Sequence, residues 1–520
     1  MYDLLIYVPI SIFGFYRWSV WLVRKIISKF YQPLREKWPK SQVKLSVSIV
    51  VPVYNEDPKI FDIALKSWIK SGADEIIAVI DYSDTRNIYN FHEISKQNPN
   101  RLKLIVTRKH GKRPALVDGV IASKGDIIAL VDSDTIWSPD VKDRVLPYFL
   151  DDKIGGVTLK QKVWEPKTLS QMLFDILLYI RYVEEVPFMA ASGYVINTIS
   201  GRTGFYRRQA LLSESNTNMH HLTHEFFLKT RCISGDDKRL THLIQEQEWR
   251  VAYQGLAVVY TYGTPDLKTF LEQRIRWTRN SWRADSRAFY NGWVWRHPAL
   301  AFNNFDRFIQ PFFLLLGPVA FAYSVFHHHW LASGIFLLWV LSSRFLRLSG
   351  YFISRPKSII YLPAYIIFTY LMAIIKIFAW FTITEQGWIT RWHKSRSRKA
   401  QHLPVFQGAI MTGVILVLIS LGGLYWQNYV ANRIQNSAEA AMRELRYSDI
   451  KLENLEQVRR EPVLPETAIK AGDYKVYIVQ PGDSLIAVSQ KLNIDLDALR
   501  RINFITNRNH IEIGQKLYHP

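Results

Sequence analysis

Asp126-Ile127-Ile128-Ala129-Leu130-Val131-Asp132-Ser133-Asp134 is the stretch on which the fold turns. An apolar run, Ile127–Val131, ends in two carboxylates. Such a run reads as a strand buried on both faces, which is the habit of parallel sheets. Side chains two apart share a face of an extended segment, so Asp132 and Asp134 point the same way. Paired hard oxygens bind Mg²⁺ or Mn²⁺, and that cation in turn holds a diphosphate. Similar runs lie upstream at Val47–Val53 and Glu75–Ile80, with helical stretches at Asp62–Ser71 and Pro114–Ser123. Alternating strand and helix predict an α/β domain, a Rossmann-like parallel sheet with helices on both faces, within residues 45–300. Ligands of such sheets sit at the carboxyl ends of the strands.

The acidic motifs fall at those ends. Pro52-Val53-Tyr54-Asn55-Glu56-Asp57 closes the first strand, and Asp81, followed by Asp84, closes the second. Carboxylates there accept hydrogen bonds from a base or a ribose. His110-Gly111-Lys112-Arg113 places two cations before a helix. That spot suits a diphosphate, or equally a solvated basic turn. Ser234-Gly235-Asp236-Asp237 offers a general base while the neighbouring acid is held by a helix start. Gln273-Arg274-Ile275-Arg276-Trp277 reads as a helix, with Gln273 and Arg276 on one face. Arg276 is placed to neutralise a leaving diphosphate and Trp277 to stack on a sugar ring. A basic interfacial helix anchored by Trp277 and Trp282 fits the same spacing.

Composition points to a chain that is part soluble and part membrane. Its 520 residues suit two to four domains. Apolar residues reach 48%, with 17 Trp and 28 Phe, yet mean hydropathy is only -0.05. Cys232 stands alone, so no disulfide forms within the chain. Residues 4–23 are long and apolar enough to cross a bilayer, although Arg17 interrupts them and no cleavable-signal pattern follows. The Lys- and Arg-rich flank up to residue 44 then faces the cytoplasm. Further spans are expected at Phe308–Phe326, Leu331–Phe352 and 404–426. Ile359–Ile383 carries Lys376 and lies between basic flanks, so it reads as an interface helix or a span. Residues 427–470 form a stalk, charged and helical to residue 460, and 471–520 a separate small domain. That order places the C-terminal domain outside. The net charge of +21 fits anionic lipids and a phosphate-bearing substrate, and no nucleic acid is expected.

Taken in order, the motifs resemble the processive branch of glycosyltransferase family 2, within it hyaluronan synthases and the nodulation chitin-oligosaccharide synthases. The resemblance runs from about Val47 to Arg391. It rests on Gly111-Lys112-Arg113, Asp132-Ser133-Asp134, Ser200-Gly201-Arg202 with Tyr206-Arg207-Arg208, Gly235-Asp236-Asp237, and Gln273 with Arg276-Trp277. It implies a GT-A fold, a UDP-sugar donor and a growing polysaccharide. Pro52, Tyr54, Glu56, Asp81, Lys112, Asp132, Gln273 and Arg276 would bind the nucleotide sugar. Asp132 and Asp134 would hold the metal. Asp237, with Asp236 beside it, would be catalytic, and Trp277 and Arg207 would meet the acceptor. Gly387-Trp388-Ile389-Thr390-Arg391 resembles the family's gating segment, within 385–400, with Trp388, Thr390 and Arg391 matching. Ile389 replaces its glycine, and Arg202 stands where hyaluronan synthases usually have proline. The resemblance therefore does not name the sugar.

The tail resembles a LysM domain of βααβ form, through Tyr477-Ile478-Val479-Gln480-Pro481-Gly482-Asp483-Ser484-Leu485, Ile502-Asn503 and Ile513-Gly514-Gln515-Lys516-Leu517-Tyr518. It implies binding of peptidoglycan or another N-acetylglucosamine polymer. Together these expectations describe a synthase in a bacterial inner membrane, with the catalytic domain cytoplasmic and LysM outside. One rival is a non-processive enzyme that glycosylates a lipid; Gln273 with Arg276-Trp277 goes with processive members. Another is an inactive wall-binding scaffold, which predicts broken catalytic carboxylates, and all are present.

Overall fold

A computed structural model describes residues 8–35, 45–212, 218–386, 402–460, 475–505 and 511–520, without the side chains of 8–13, 402–406 and 445–460. Two compact units are present, residues 1–435 and 436–520.

The first unit is built on a sheet of eight strands. They are β1 (Val47–Val53), β2 (Glu75–Asp81), β3 (Leu102–Thr107), β4 (Ile127–Val131), β5 (Thr135–Trp137), β6 (Ile154–Val163), β7 (Thr203–Arg207) and β8 (Arg250–Thr261). Their order is β3-β2-β1-β4-β7-β6-β8-β5. The first four strands in that order are parallel. β7 runs antiparallel to both its neighbours, so the sheet is mixed rather than purely parallel. The apolar runs read from sequence are strands because both of their faces are covered. Ile49, Val51, Ala129 and Val131 meet Phe61, Leu65 and Trp68 on one side. Val50, Ile128 and Leu130 meet Leu116 and Val120 on the other. This is the period-2 alternation of a strand with two dry faces.

The covering helices start where the sequence caps them. Asp57 caps α1 (Pro58–Lys70), with Pro58 in the first turn. Asp84 caps α2 (Thr85–Gln97) and also accepts the Asn55 N–H at 2.6 Å. That structural task accounts for Asp84. In α3 (Lys112–Ala122), Gly119 lies against β1, where a Cβ would stand 2.4 Å from a Val50 methyl.

Among the described residues, four helices are long and apolar enough to cross a membrane: Pro298–Phe326, Trp330–Ser354, Pro356–Phe381 and Gln407–Glu444. They contain the spans expected at Phe308–Phe326 and Leu331–Phe352 and all but the first three residues of that at 404–426, and Pro356–Phe381 has the length for a fourth. In the N-terminal helix Val8–Ser28, the first side chains of which lie outside the described residues, Arg17 and Arg24 both pair with buried Asp306. Two further buried carboxylates tie the catalytic unit to these helices. Glu184 binds Arg347 at 2.7 Å and the Trp21 indole N–H at 3.0 Å. Asp175 accepts from Tyr351 at 2.8 Å and Arg355 at 2.7 Å. Residues 402–460 form one continuous helix that includes both the expected span and the start of the stalk.

The second unit holds the expected βααβ arrangement. Strands Lys475–Ile478 and Lys516–His519 pair antiparallel, with helices Leu485–Lys491 and Leu496–Ile502 between them. Val479, Leu485, Val488, Leu499 and Leu517 form its core.

Trp68 tests the catalytic core most simply. It is fully buried and its indole N–H donates to the Thr135 carbonyl at 2.9 Å. Trp68→Ala is expected to cost ~3–5 kcal/mol, read as a lowered unfolding midpoint of the purified chain.

Candidate active site

The carboxyl ends of β1, β2 and β4 open onto a cavity of about 1050 Å³. Pro52, Tyr54, Glu56, Asp81, Lys112, Asp132, Asp134, Asp236, Asp237, Gln273, Arg276 and Trp277 all line it. Every site residue expected from sequence is therefore in one place, except Arg207 and the gating residues. Trp388, Thr390 and Arg391 lie outside the described residues.

Lys112 organises the centre. Its ammonium lies 2.7 Å from Asp132 Oδ1 and 2.8 Å from Asp236 Oδ2. Burial disfavours a charged lysine, but the two carboxylates win and hold its pKa above the usual value. Burial likewise works to raise Asp236, and Lys112 reverses this, so that carboxyl is held below its usual range. Asp132 moves the other way. Burial raises it, and the nearby Asp134 and Asp236 charges add to that against the pull of Lys112.

Arg113, the next residue, does a different job. It is buried, pairs with Glu225 at 2.6 Å, and donates to the carbonyls of Leu222, Cys232 and Ser234 at 2.8, 3.1 and 2.8 Å. The motif is no solvated turn. Lys112 faces the cavity while Arg113 holds the segment that leads into Asp236 and Asp237. Gly235 sits at φ +83°, and a Cβ there would come within 2.9 Å of Asn280. That residue must be glycine for the two acids to be presented. Asp237 accepts the Gly201 N–H at 3.3 Å and the Lys238 N–H at 2.8 Å. Asp236 is taken up by Lys112, so Asp237 is the better placed of the two to receive a proton.

Asp132 and Asp134 stand at the end of β4 as two carboxylates on one wall. Among the described residues no group of three or more His, Cys, Asp or Glu gathers as a metal site. A pair of carboxylates still fits Mg²⁺, which keeps part of its shell for substrate phosphate oxygens and water. That an ammonium already bridges Asp132 shows that this wall accepts a cation.

Arg207 is corrected. It lies at the far end of β7, where it donates to the carbonyls of Phe149, Asp151 and Ile154. The reason is strand direction. β7 is antiparallel to β4, so Thr203 pairs with Val131 at the cavity end while Arg207 pairs with Ile127 at the other. Arg202, one residue before β7, is the arginine brought to the cavity. Its guanidinium lies 5.0 Å from the Trp277 ring centre, and that of Arg274 lies 4.1 Å away. Trp277 therefore meets two cations as well as the cavity.

Some wall residues were not expected. Thr261, Tyr262 and Thr264 line the cavity at the end of β8, where no charged motif marks the strand. Asn280 follows Gln273, Arg276 and Trp277 at helical spacing on Leu267–Tyr290, and accepts from Ser234 Oγ at 2.9 Å. That periodicity was the available signal.

Comparison with known proteins agrees with this geometry. Residues 45–280 match the family described as glycosyltransferase like family 2, and residues 477–520 match the LysM domain. An NDP-glycosyltransferase of Aspergillus luteorubrus is 25% identical over 401 residues, covering 72% of this chain and 95% of its own. An N-acetylglucosaminyltransferase of Mesorhizobium japonicum is 29% identical over 263 residues, covering 49% of this chain and 59% of its own. Among solved structures, a mannosyltransferase of Pyrobaculum calidifontis in complex with GDP-Man and Mn²⁺ superposes with a TM-score of 0.50 at 17% identity. It covers 71% of this chain and 98% of that one, a likeness of fold. The chain carries a family 2 glycosyltransferase domain of GT-A fold and a LysM domain. It is a glycosyltransferase that draws on a nucleotide sugar.

Gly235→Ala is expected to reduce turnover by about 100-fold, the scale of a 1 Å misplacement of reacting groups. Circular dichroism should show the fold retained, so the loss reports on the placement of Asp236 and Asp237.

Proposed function

We propose that this glycosyltransferase is a processive, inverting polysaccharide synthase of the membrane, using a UDP-sugar. One observation carries the reading. Asp237 and Trp277 line both the donor cavity and a second cavity, whose wall includes Arg307 and Lys376 on two of the helices able to span a membrane. An acceptor on Trp277 thus has the donor on one side and an exit toward the helices on the other.

In this reading Asp237 takes the proton from the acceptor hydroxyl as it attacks the anomeric carbon. Asp81, Pro52, Tyr54 and Glu56 hold the nucleoside. Arg276, with Asp236, Asp237 and Asp132 in its field, stabilises the departing diphosphate, and Gln273 fixes the donor beside it. Asp132 and Asp134 would hold Mg²⁺ or Mn²⁺, which neutralises charge on that diphosphate. Lys112 orders Asp132 and Asp236 before the donor arrives.

The cell-level reading follows from charge and length. Basic flanks after residue 23 and at Arg391–Lys399 support a catalytic domain on the cytoplasmic face, which we read as that of a bacterial inner membrane. In this reading helix Leu362–Phe381, although long enough to cross, lies along the catalytic unit as an interface helix, and its contacts with the helix Leu267–Tyr290 support that. Trp282 donates to the Lys376 carbonyl at 3.0 Å, and Arg283 to the Ile383 carbonyl at 2.6 Å. The span that follows then crosses once, and LysM binds wall glycan outside.

Purified protein given radiolabelled UDP-sugars and Mg²⁺ is expected to make a high-molecular-weight product. Asp237→Asn should lower that activity by roughly 10²–10⁴-fold, the usual worth of a general base. A product that stops after one sugar on a lipid would overturn processivity.

A further inference from the structure

Beside the donor cavity lies a second of about 230 Å³. Among the described residues, six cations line it: Arg181, Arg202, Lys238, Arg274, Arg307 and Lys376. Asp237 is the one carboxylate among them. Buried positive charge is costly unless an opposite charge or hydrogen bonds compensate it.

Compensation can be traced for most of the six. Lys238 pairs with Asp285 at 2.6 Å. Lys376 donates to Gln310 at 2.6 Å. Arg181 donates to the Thr198 carbonyl at 3.0 Å. Burial works to raise the Glu185 carboxyl, yet Arg307 and Arg181 outweigh it and hold that group at about 2. Arg202 has Asp134 and Asp132 in its field.

Arg274 differs. Its hydrogen bond is a long one of 3.3 Å to Gln273, and its Nε has no partner. Around it stand the rings of Trp277, Phe174 and Phe270, 4.1, 4.9 and 4.9 Å from its guanidinium carbon. Burial, then the like charges of Arg202, Arg181 and Arg276, push its pKa well down. Arginine nevertheless stays charged. Among the described residues no carboxylate pairs with Arg274, and its positive charge stands against the indole expected to carry the acceptor.

We propose that this cavity is an acceptor subsite for an acidic glycan, in which a sugar carboxylate behind the unit on Trp277 seats between Arg274 and Arg202. The inference rests on the reading that Asp237 and Trp277 hold the acceptor. The wall favours a sugar chain over a prenyl lipid. Thr198, Ser200, Thr278, Ser281 and Asn280 offer hydrogen bonds to hydroxyls, and Trp277 offers an aromatic ring. Met372 is the single aliphatic side chain among the described residues there, which leaves a hydrocarbon tail without a matching surface. Arg202, the residue that departs from the synthase pattern, is one of the two seats. Arg307 extends the cationic lining onto Pro298–Phe326, a helix able to span a membrane, and Lys376 onto the helix read above as lying at the interface.

The test is binding without donor, by equilibrium dialysis of labelled tetrasaccharides against full-length protein in detergent. One probe alternates glucuronate with N-acetylglucosamine, and the neutral one is the same tetrasaccharide with its carboxylates reduced to hydroxymethyl groups. Both carry the same N-acetylglucosamine units and LysM is present in every variant, so its contribution cancels between probes and between variants. Wild type is expected to bind the acidic probe about tenfold tighter, the worth of a charged hydrogen bond. Arg274→Gln and Arg202→Gln should remove that preference, while neutral binding and UDP binding by Arg274→Gln stay within about twofold. Equal binding of the two probes, or a loss in Arg274→Gln that is the same for both, overturns the subsite. So does a short polyprenyl phosphate that displaces the acidic probe in wild type but not in Arg274→Gln, since the anion would then be a lipid phosphate. Because no turnover is needed, an acid preference in a protein that makes no polymer would sink the synthase reading and leave the subsite standing.

Discussion

Lys112 bound between Asp132 and Asp236 is the contact on which the site depends. Asp132 comes from the end of β4, on the wall proposed to hold the nucleotide. Asp236 begins the helix Asp236–Glu246, on the side proposed to meet the acceptor. Three charges so close in a buried place are tolerable only together, because removing one leaves another uncompensated. The ammonium therefore fixes the distance between the donor wall and the catalytic acids. Arg113 reinforces this from behind by gripping the backbone that leads to Gly235.

Charge is partitioned around that tie. On the donor side, carboxylates from Glu56, Asp81, Asp132 and Asp134 gather where a cation and a diphosphate would be held. On the side toward the helices the balance reverses, and arginines and lysines predominate. Asp237 and Trp277 stand on the boundary. A transferase needs this asymmetry, since the leaving group carries negative charge away from the point where the acceptor must lose a proton.

Much of this was legible in the sequence, for local reasons. The strands at 47–53, 75–81 and 127–131 read as apolar runs because both faces are buried. Their carboxyl ends marked Asp81, Asp132 and Asp134 as site residues without any structure. The direction of β7 was not legible, because strand pairing is set by contacts far apart in sequence. The resemblance carried the choice to Arg207, in Tyr206-Arg207-Arg208, which antiparallel β7 sets at the end of the strand away from the cavity, while Arg202 lies at the cavity. The second cavity was hidden for a related reason. Its cations, from Arg181 to Lys376, come from segments spread along the chain, and no local pattern brings them together.

A double-mutant cycle on Lys112→Met and Asp236→Asn, read by unfolding free energy, tests the central claim most directly. If Lys112 ties the two halves, each single change costs ~3–5 kcal/mol, the cost of breaking a buried pair. The double variant should then recover part of the loss, with a coupling of at least ~1 kcal/mol. Additive losses would contradict the account, for they would mean that Lys112 and Asp236 stabilise the protein independently.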